Sequence, residues 1–216
     1  MSIHRNVNIL SVLFLLIATS SLIFTSPMAE KNGSEGEHTG GLEMIRVDKE
    51  HFPALRLIGK CYTDSDRGVD GGFGTAWAEW FEKGWFDELE ALGPLQDIEQ
   101  GQLGCMSSSN EGFRYWIGMF FPENTPVPEG FAFADIPEGE VGLCWIYGNP
   151  DTDNMYTLHD TCMKKLREQG MGEFRDDFAG ELNSWYWFFE RYNHPRFTTP
   201  DENGKVILDY GIYLSS

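Results

Sequence analysis

The apolar residues of this chain switch from strand alternation to helical spacing only twice, and that ratio restricts the folds open to it. Alternating or short apolar runs lie at 55–62, 101–107, 113–121, 131–136, 141–147 and 206–214. Helical spacing joins Phe73, Trp77, Trp80, Phe81, Trp85, Leu89 and Leu92, closed by Gly93-Pro94, and later Met155, Leu158, Cys162 and Leu166, between an N-cap at Asn154 and a stop at Gly170. Parallel strands need long crossovers, usually helical. Two helices cannot supply them for this many strands, so the spacing predicts a mainly antiparallel sheet with helices gathered on one face, an α+β layer architecture. The order reads strand, helix, two strands, twice over. Residues 108–112 make a hairpin of the second and third runs, and Pro137-Glu138-Gly139-Glu140 makes a second hairpin-like unit of the fourth and fifth. The aromatic-rich segment 174–192 is read as helix or irregular cover.

Charge and termini narrow the function classes. With 34 acidic and 16 basic residues the formal net charge is −18, which opposes any role built on neutralising phosphates. None of the acids lies in residues 1–29. His4 and Arg5 precede the apolar run Ile9–Ile17, continued by Leu22-Ile23-Phe24, in the order of a secretory signal peptide or an uncleaved anchor. The expected location is therefore extracytoplasmic, or cytoplasmic if translation starts at Met28 or Met44. Residues 30–43 have the polar, Gly-rich composition of a flexible linker, leaving 44–216 as the folded domain.

Five short motifs carry a family resemblance. Leu55-Arg56-Leu57-Ile58-Gly59, Tyr115-Trp116-Ile117-Gly118, Ile136-Pro137-Glu138-Gly139-Glu140-Val141, Phe189-Glu190-Arg191-Tyr192 and Ile207-Leu208-Asp209-Tyr210-Gly211-Ile212-Tyr213 occur in the order and spacing of GyrI-like domains. The chain thus resembles the gyrase-inhibitor-like, AraC-type effector-binding family over residues 44–214. The resemblance implies duplicated strand-helix-strand-strand units, a pseudo-twofold antiparallel sheet, and a central cleft that takes amphipathic, often cationic, organic molecules, including multidrug binding. It also implies two alternatives, hydrolysis of strained cyclopropane-type electrophiles and binding to DNA gyrase. Effector domains of this kind that activate transcription are fused to a helix-turn-helix, for which the residues before the domain leave no room.

Organic cations are held by aromatic faces and a carboxylate in a partly dry site. Asp209 lies in the middle of an apolar strand and is the first candidate for that carboxylate, the competing reading being a charge facing water. Glu190 is the second, with pairing to Arg191 or Arg196 as its competing reading. Trp116, Trp145, Tyr147, Tyr186, Trp187 and Tyr213 are the expected aromatic walls, with core packing as their alternative. Were the chain a hydrolase, Glu190 or Asp209 would activate water and Tyr147 or Tyr186 would stabilise the leaving group. Trp77, Trp80, Phe81 and Trp85 are expected in the core.

Other signals point to no further chemistry. Cys61, Cys105, Cys144 and Cys162 form no C-x-x-C pair and fall on expected strands and a helix, which favours buried thiols over bridges. His159 and Cys162 lack the further ligands a metal site needs, and Asp151-Thr152-Asp153-Asn154 lacks the Gly and Glu of a calcium loop. There is no nucleophile elbow and no phosphate loop. The chain reads as a domain that binds a small amphipathic cation, with no metal, no cofactor and no nucleic-acid partner. Contact with a membrane is expected only through the N-terminal segment.

Overall fold

A computed structural model of the chain describes residues 41–93, 98–109, 112–171 and 186–214. Eight strands, β1 (Glu43–Phe52), β2 (Leu55–Thr63), β3 (Gly101–Ser109), β4 (Gly112–Pro122), β5 (Ala132–Ile136), β6 (Gly139–Gly148), β7 (Tyr186–Asn193) and β8 (Val206–Tyr213), form one sheet. The order is β1-β6-β8-β7-β3-β4-β2-β5, with every pairing antiparallel. Helices α1 (Gly74–Lys83), α2 (Trp85–Glu90) and α3 (His159–Glu168) complete the α+β arrangement. No helix among the described residues is long and apolar enough to cross a membrane.

The β3–β4 hairpin forms as expected, but β5 and β6 do not pair with each other. β5 pairs with β2, whereas β6 lies between β1 and β8. The cause lies in two adjacent links. Phe52 pairs with Gly139 and Leu55 with Ile136, so the short connections 53–54 and 137–138 run side by side and carry the chain between opposite edges of the sheet. The sheet therefore curls until those edges meet. Its inner face fills with Phe52, Leu57, Leu103, Trp116, Phe120, Leu143, Phe189 and Tyr213. The Phe52 ring lies 6.0 Å from Phe189 and 6.4 Å from Phe120, on strands far from β1 in the sheet order. Gly211 leaves room for the Phe189 ring, which a Cβ there would overlap.

β1 escapes the sequence reading because a bulge hides its period. Register shifts between Met44 and Arg46, so Met44 and Val47, three apart, both pack against the core of the opposite, outer face. The expected single helix over 73–92 is instead two, broken at Gly84, whose φ of 68° is the left-handed conformation glycine adopts without strain. The helix expected from Asn154 starts at His159, after a 3₁₀ turn at Met155–Thr157, and the Asn154 side chain makes no capping bond.

The helices cover the outer face of the curl. Trp77, Trp80, Phe86 and Leu89 of α1 and α2 pack near β4, and α3 packs against β1, β6 and β8. Here Cys144 and Cys162 form a disulfide between β6 and α3, in place of the buried thiols expected. The two periodicities meet to make it. Cys144 faces outward from the strand and Cys162 inward from the helix, with Cα atoms 6.0 Å apart, within bridging distance. The Cys162 sulfur is thereby unavailable to a metal beside His159, while Cys105 is a buried thiol and Cys61 a half-buried one.

Removing the bridge with Cys144→Ala and Cys162→Ala should cost about 3 kcal/mol, the loop-closure entropy of a segment this size. Urea unfolding of oxidised wild type, reduced wild type and the double variant checks this, the last two falling together.

Candidate functional site

The pleat of β7 decides which side chains meet. Phe188, Glu190 and Tyr192 project to the helix-covered face, and Phe189 and Arg191 to the inner face. Register then sets the lateral neighbours of Glu190, with Tyr210 opposite on β8 and Gly104 opposite on β3. Gly104 has no side chain, and a Cβ there would overlap the Tyr115 hydroxyl. That gap lets Tyr115, from β4, reach toward Glu190. Tyr156 arrives from the 3₁₀ turn before α3.

Glu190 is therefore buried, 5% exposed, and among the described residues it has no ion-pair partner. What it has are hydroxyls. Tyr192 Oη donates to Glu190 Oε2 at 2.8 Å. Tyr210 Oη lies 2.9 Å from the Met155 carbonyl and 3.3 Å from Glu190 Oε1, with one proton for two acceptors. Tyr115 Oη accepts from Trp77 Nε1 at 3.0 Å. Tyr156 Oη is buried with no hydrogen-bond partner among the described residues.

Burial without a cation pushes the Glu190 carboxyl up to about 7, against the smaller opposing effect of the Tyr192 and Tyr210 hydroxyls. The four phenols are in turn pushed up by their own burial and then by the Glu190 charge, which acts on all of them. The hydroxyls thus converge on one carboxyl that titrates near neutrality. Aromatic packing holds the ring of tyrosines in place. Tyr115 stacks on Phe73 at 4.3 Å, Tyr192 meets Trp77 edge-on at 4.9 Å, and His159 stacks on Phe188 at 5.0 Å.

Asp209 lies elsewhere. It is fully buried on the inner face, and its neighbours in register are Trp145 and Arg191. Arg191 donates to it through Nε at 2.9 Å and Nη2 at 2.8 Å, and Arg196 through Nη2 at 2.6 Å and Nε at 3.1 Å. Glu99 closes the network by accepting from both arginines. Asp209 is thus already neutralised, and the water-facing alternative does not hold on this central strand. Nor does Glu190 pair with either arginine, because both guanidinium groups are on the Asp209 side.

The expected aromatic walls divide likewise. Trp145 carries the guanidinium groups of Arg46 and Arg196 against its ring, at 4.6 and 4.1 Å. Trp116 and Tyr213 are buried in the inner-face cluster, and Tyr147 donates from the surface to Asp201. Tyr186 and Trp187 open β7, with side chains outside the described residues. Of the expected residues whose side chains are described, Glu190 alone sits in the hydroxyl cluster, and Tyr115, Tyr156, Tyr192, Tyr210 and Trp77 join it there. The sequence signal of Tyr192 and Tyr210 was the outward parity of their strands, whereas Trp77 on α1 and Tyr156 on the 3₁₀ turn carried none. No group of three or more His, Cys, Asp or Glu among the described residues could hold a metal ion.

No protein-family model and no curated protein matches the chain. Solved structures do resemble it. SAV2435 bound to tetraphenylphosphonium matches with a TM-score of 0.52 at 16% identity, over 80% of this chain and 95% of that one. A candidate bacterial transcription regulation protein from Staphylococcus aureus MU50 matches with a TM-score of 0.49 at 14% identity, over 79% and 99%. The chain therefore has the fold of SAV2435.

Two measurements separate the carboxyls. Asp209→Ala leaves two buried arginines short of a partner and should cost about 3 to 5 kcal/mol in urea unfolding. Glu190 binds its proton more tightly folded than unfolded, so its stabilisation is complete below about 4.5, the unfolded value, and is lost as pH rises through about 7. The loss should approach about 3 kcal/mol between pH 4.5 and 8, and Glu190→Gln should flatten the profile.

Proposed function

We propose that this protein binds amphipathic organic cations with Glu190 as counter-charge, as a stand-alone member of the GyrI-like effector-binding family. One observation carries the reading: a buried carboxylate with no cation beside it among the described residues, ringed by tyrosines. A protein fold gains nothing from burying an unpaired acid, and such groups mark functional sites. An entering cation supplies the missing charge, and the tyrosine and tryptophan rings supply cation–π faces. Two features add support. The half-sheets β6-β8-β7 and β2-β4-β3 repeat one order, as duplicated strand-helix-strand-strand units would, and this supports the reading of a cleft between their helices. SAV2435, of the same fold, holds a phosphonium cation. The Cys144–Cys162 bridge suits the oxidising compartment that the N-terminal segment implies.

The pH dependence tests this reading. A cation binds the ionised form of Glu190, so affinity should weaken about tenfold for each pH unit below about 7 and level off above it. Calorimetric titration with tetraphenylphosphonium and with protonated aralkylamines should show saturable binding of this form. Glu190→Gln should weaken it and remove the pH dependence. Absence of saturable binding by any of these cations at pH 8 overturns the proposal.

A carboxyl titrating near neutrality also suits a general base. Hydrolysis of a strained electrophile is the second reading, and turnover lost in Glu190→Gln is what would establish it.

A further inference from the structure

The hydroxyl geometry around Glu190 distinguishes between kinds of cation. We infer that the site selects protonated amines, which carry an N–H, over quaternary ammonium and phosphonium cations of the same size. The inference rests on the cation-binding reading above and specifies its ligand.

The hydrogen-bond accounting leaves two places for a donor. Glu190 Oε2 is satisfied by Tyr192. Oε1 faces only Tyr210 Oη, whose single proton has the Met155 carbonyl as its nearer acceptor, 2.9 Å against 3.3 Å. Tyr210 therefore shares one proton between that carbonyl and Oε1, and its bond to Oε1 is the longer one. With Glu190 neutral, the acid's own proton on Oε1 can point at Tyr210 Oη and fill the gap. Once Glu190 ionises, this long, shared bond is all that Oε1 receives among the described residues. The second place is Tyr156 Oη, buried without a partner and within the electrostatic reach of Glu190, Tyr192 and Tyr210.

An ammonium N–H restores what ionisation removes. It donates to Oε1 in place of the acid proton, and a hydroxyl at Tyr156 accepts a second N–H or turns its own proton to a ligand oxygen. A quaternary cation presents only a shell of C–H groups. It balances the charge but leaves Oε1 with only the proton that Tyr210 shares and Tyr156 Oη unmatched, and an unmatched buried polar group is expensive. The carboxylate also gains a shorter, charge-assisted bond from N–H than from contact with an alkylated centre. The proton that leaves Glu190 is released to solvent, so uptake of the amine conserves charge at the site.

The test uses a matched pair, (naphthylmethyl)dimethylammonium and (naphthylmethyl)trimethylammonium, titrated at neutral pH into the intact chain with tryptophan fluorescence as readout. The N–H cation should bind roughly tenfold more tightly, the value of one well-formed buried hydrogen bond to a charged group. Tyr156→Phe should weaken (naphthylmethyl)ammonium, which has N–H groups for both places, severalfold and leave the trimethyl compound unchanged; equal weakening of both would overturn the role of Tyr156. Equal affinities in the wild type, or a tighter trimethyl compound, overturn the inference while leaving cation binding intact. Failure of both compounds to bind, together with tetraphenylphosphonium, overturns the cation-binding reading and this inference with it.

Discussion

Glu190 and Arg191 are neighbours in sequence and cannot neutralise each other, and the rest of the site follows from that. The two-residue period of β7 sends one side chain through each face of the sheet. On the inner face Arg191 meets Asp209, Arg196 and Glu99, and the charges close on themselves. On the outer face, among the described residues, Glu190 meets phenols and no cation. Had one residue been inserted between Phe189 and Glu190, Glu190 and Arg191 would have exchanged faces, the carboxylate turning inward and the Arg191 guanidinium outward among the phenols.

The two networks illustrate opposite ways of burying an acid. Asp209 is held by fixed cations from its own chain and contributes to the curl by cross-linking β7, β8 and the segment carrying Arg196. Glu190 is held by neutral donors that are too few to stabilise its charge fully, so its protonation follows pH and occupancy. A lysine or arginine in place of Tyr156 would have made the site more stable and would have filled it. The tyrosines instead provide burial, ring faces and rotatable hydroxyls without supplying a charge.

Much of the fold was legible in the sequence because it rests on period. The run Val206 to Tyr213 alternates cleanly, so the opposite faces of Asp209 and Tyr210 could be read directly, as could the α1 stripe of Trp77 and Trp80. What could not be read was pairing between distant strands. Nothing local in Phe131 to Tyr147 says that β5 and β6 part company, since that depends on the sheet curling until Phe52 and Leu55 reach the same junction. The Met44/Arg46 bulge removed the alternation by which β1 would have been seen. The choice between Asp209 and Glu190 as the available carboxylate turned on the location of two arginines, a three-dimensional fact with no counterpart in residue spacing.

The formal charge of −18 acts at a different range from Glu190 itself. Solvated acids act on a cation only within the screening length of about 8 to 10 Å at physiological ionic strength. Their summed field speeds the arrival of cations and repels anions, an on-rate effect that fades with salt. Retention depends on contacts that salt does not reach, because Glu190 and its phenols are shielded from solvent. Raising ionic strength should therefore slow association far more than it hastens release. That division follows from the same pleat, which placed Glu190 inside, away from the arginines that hold Asp209.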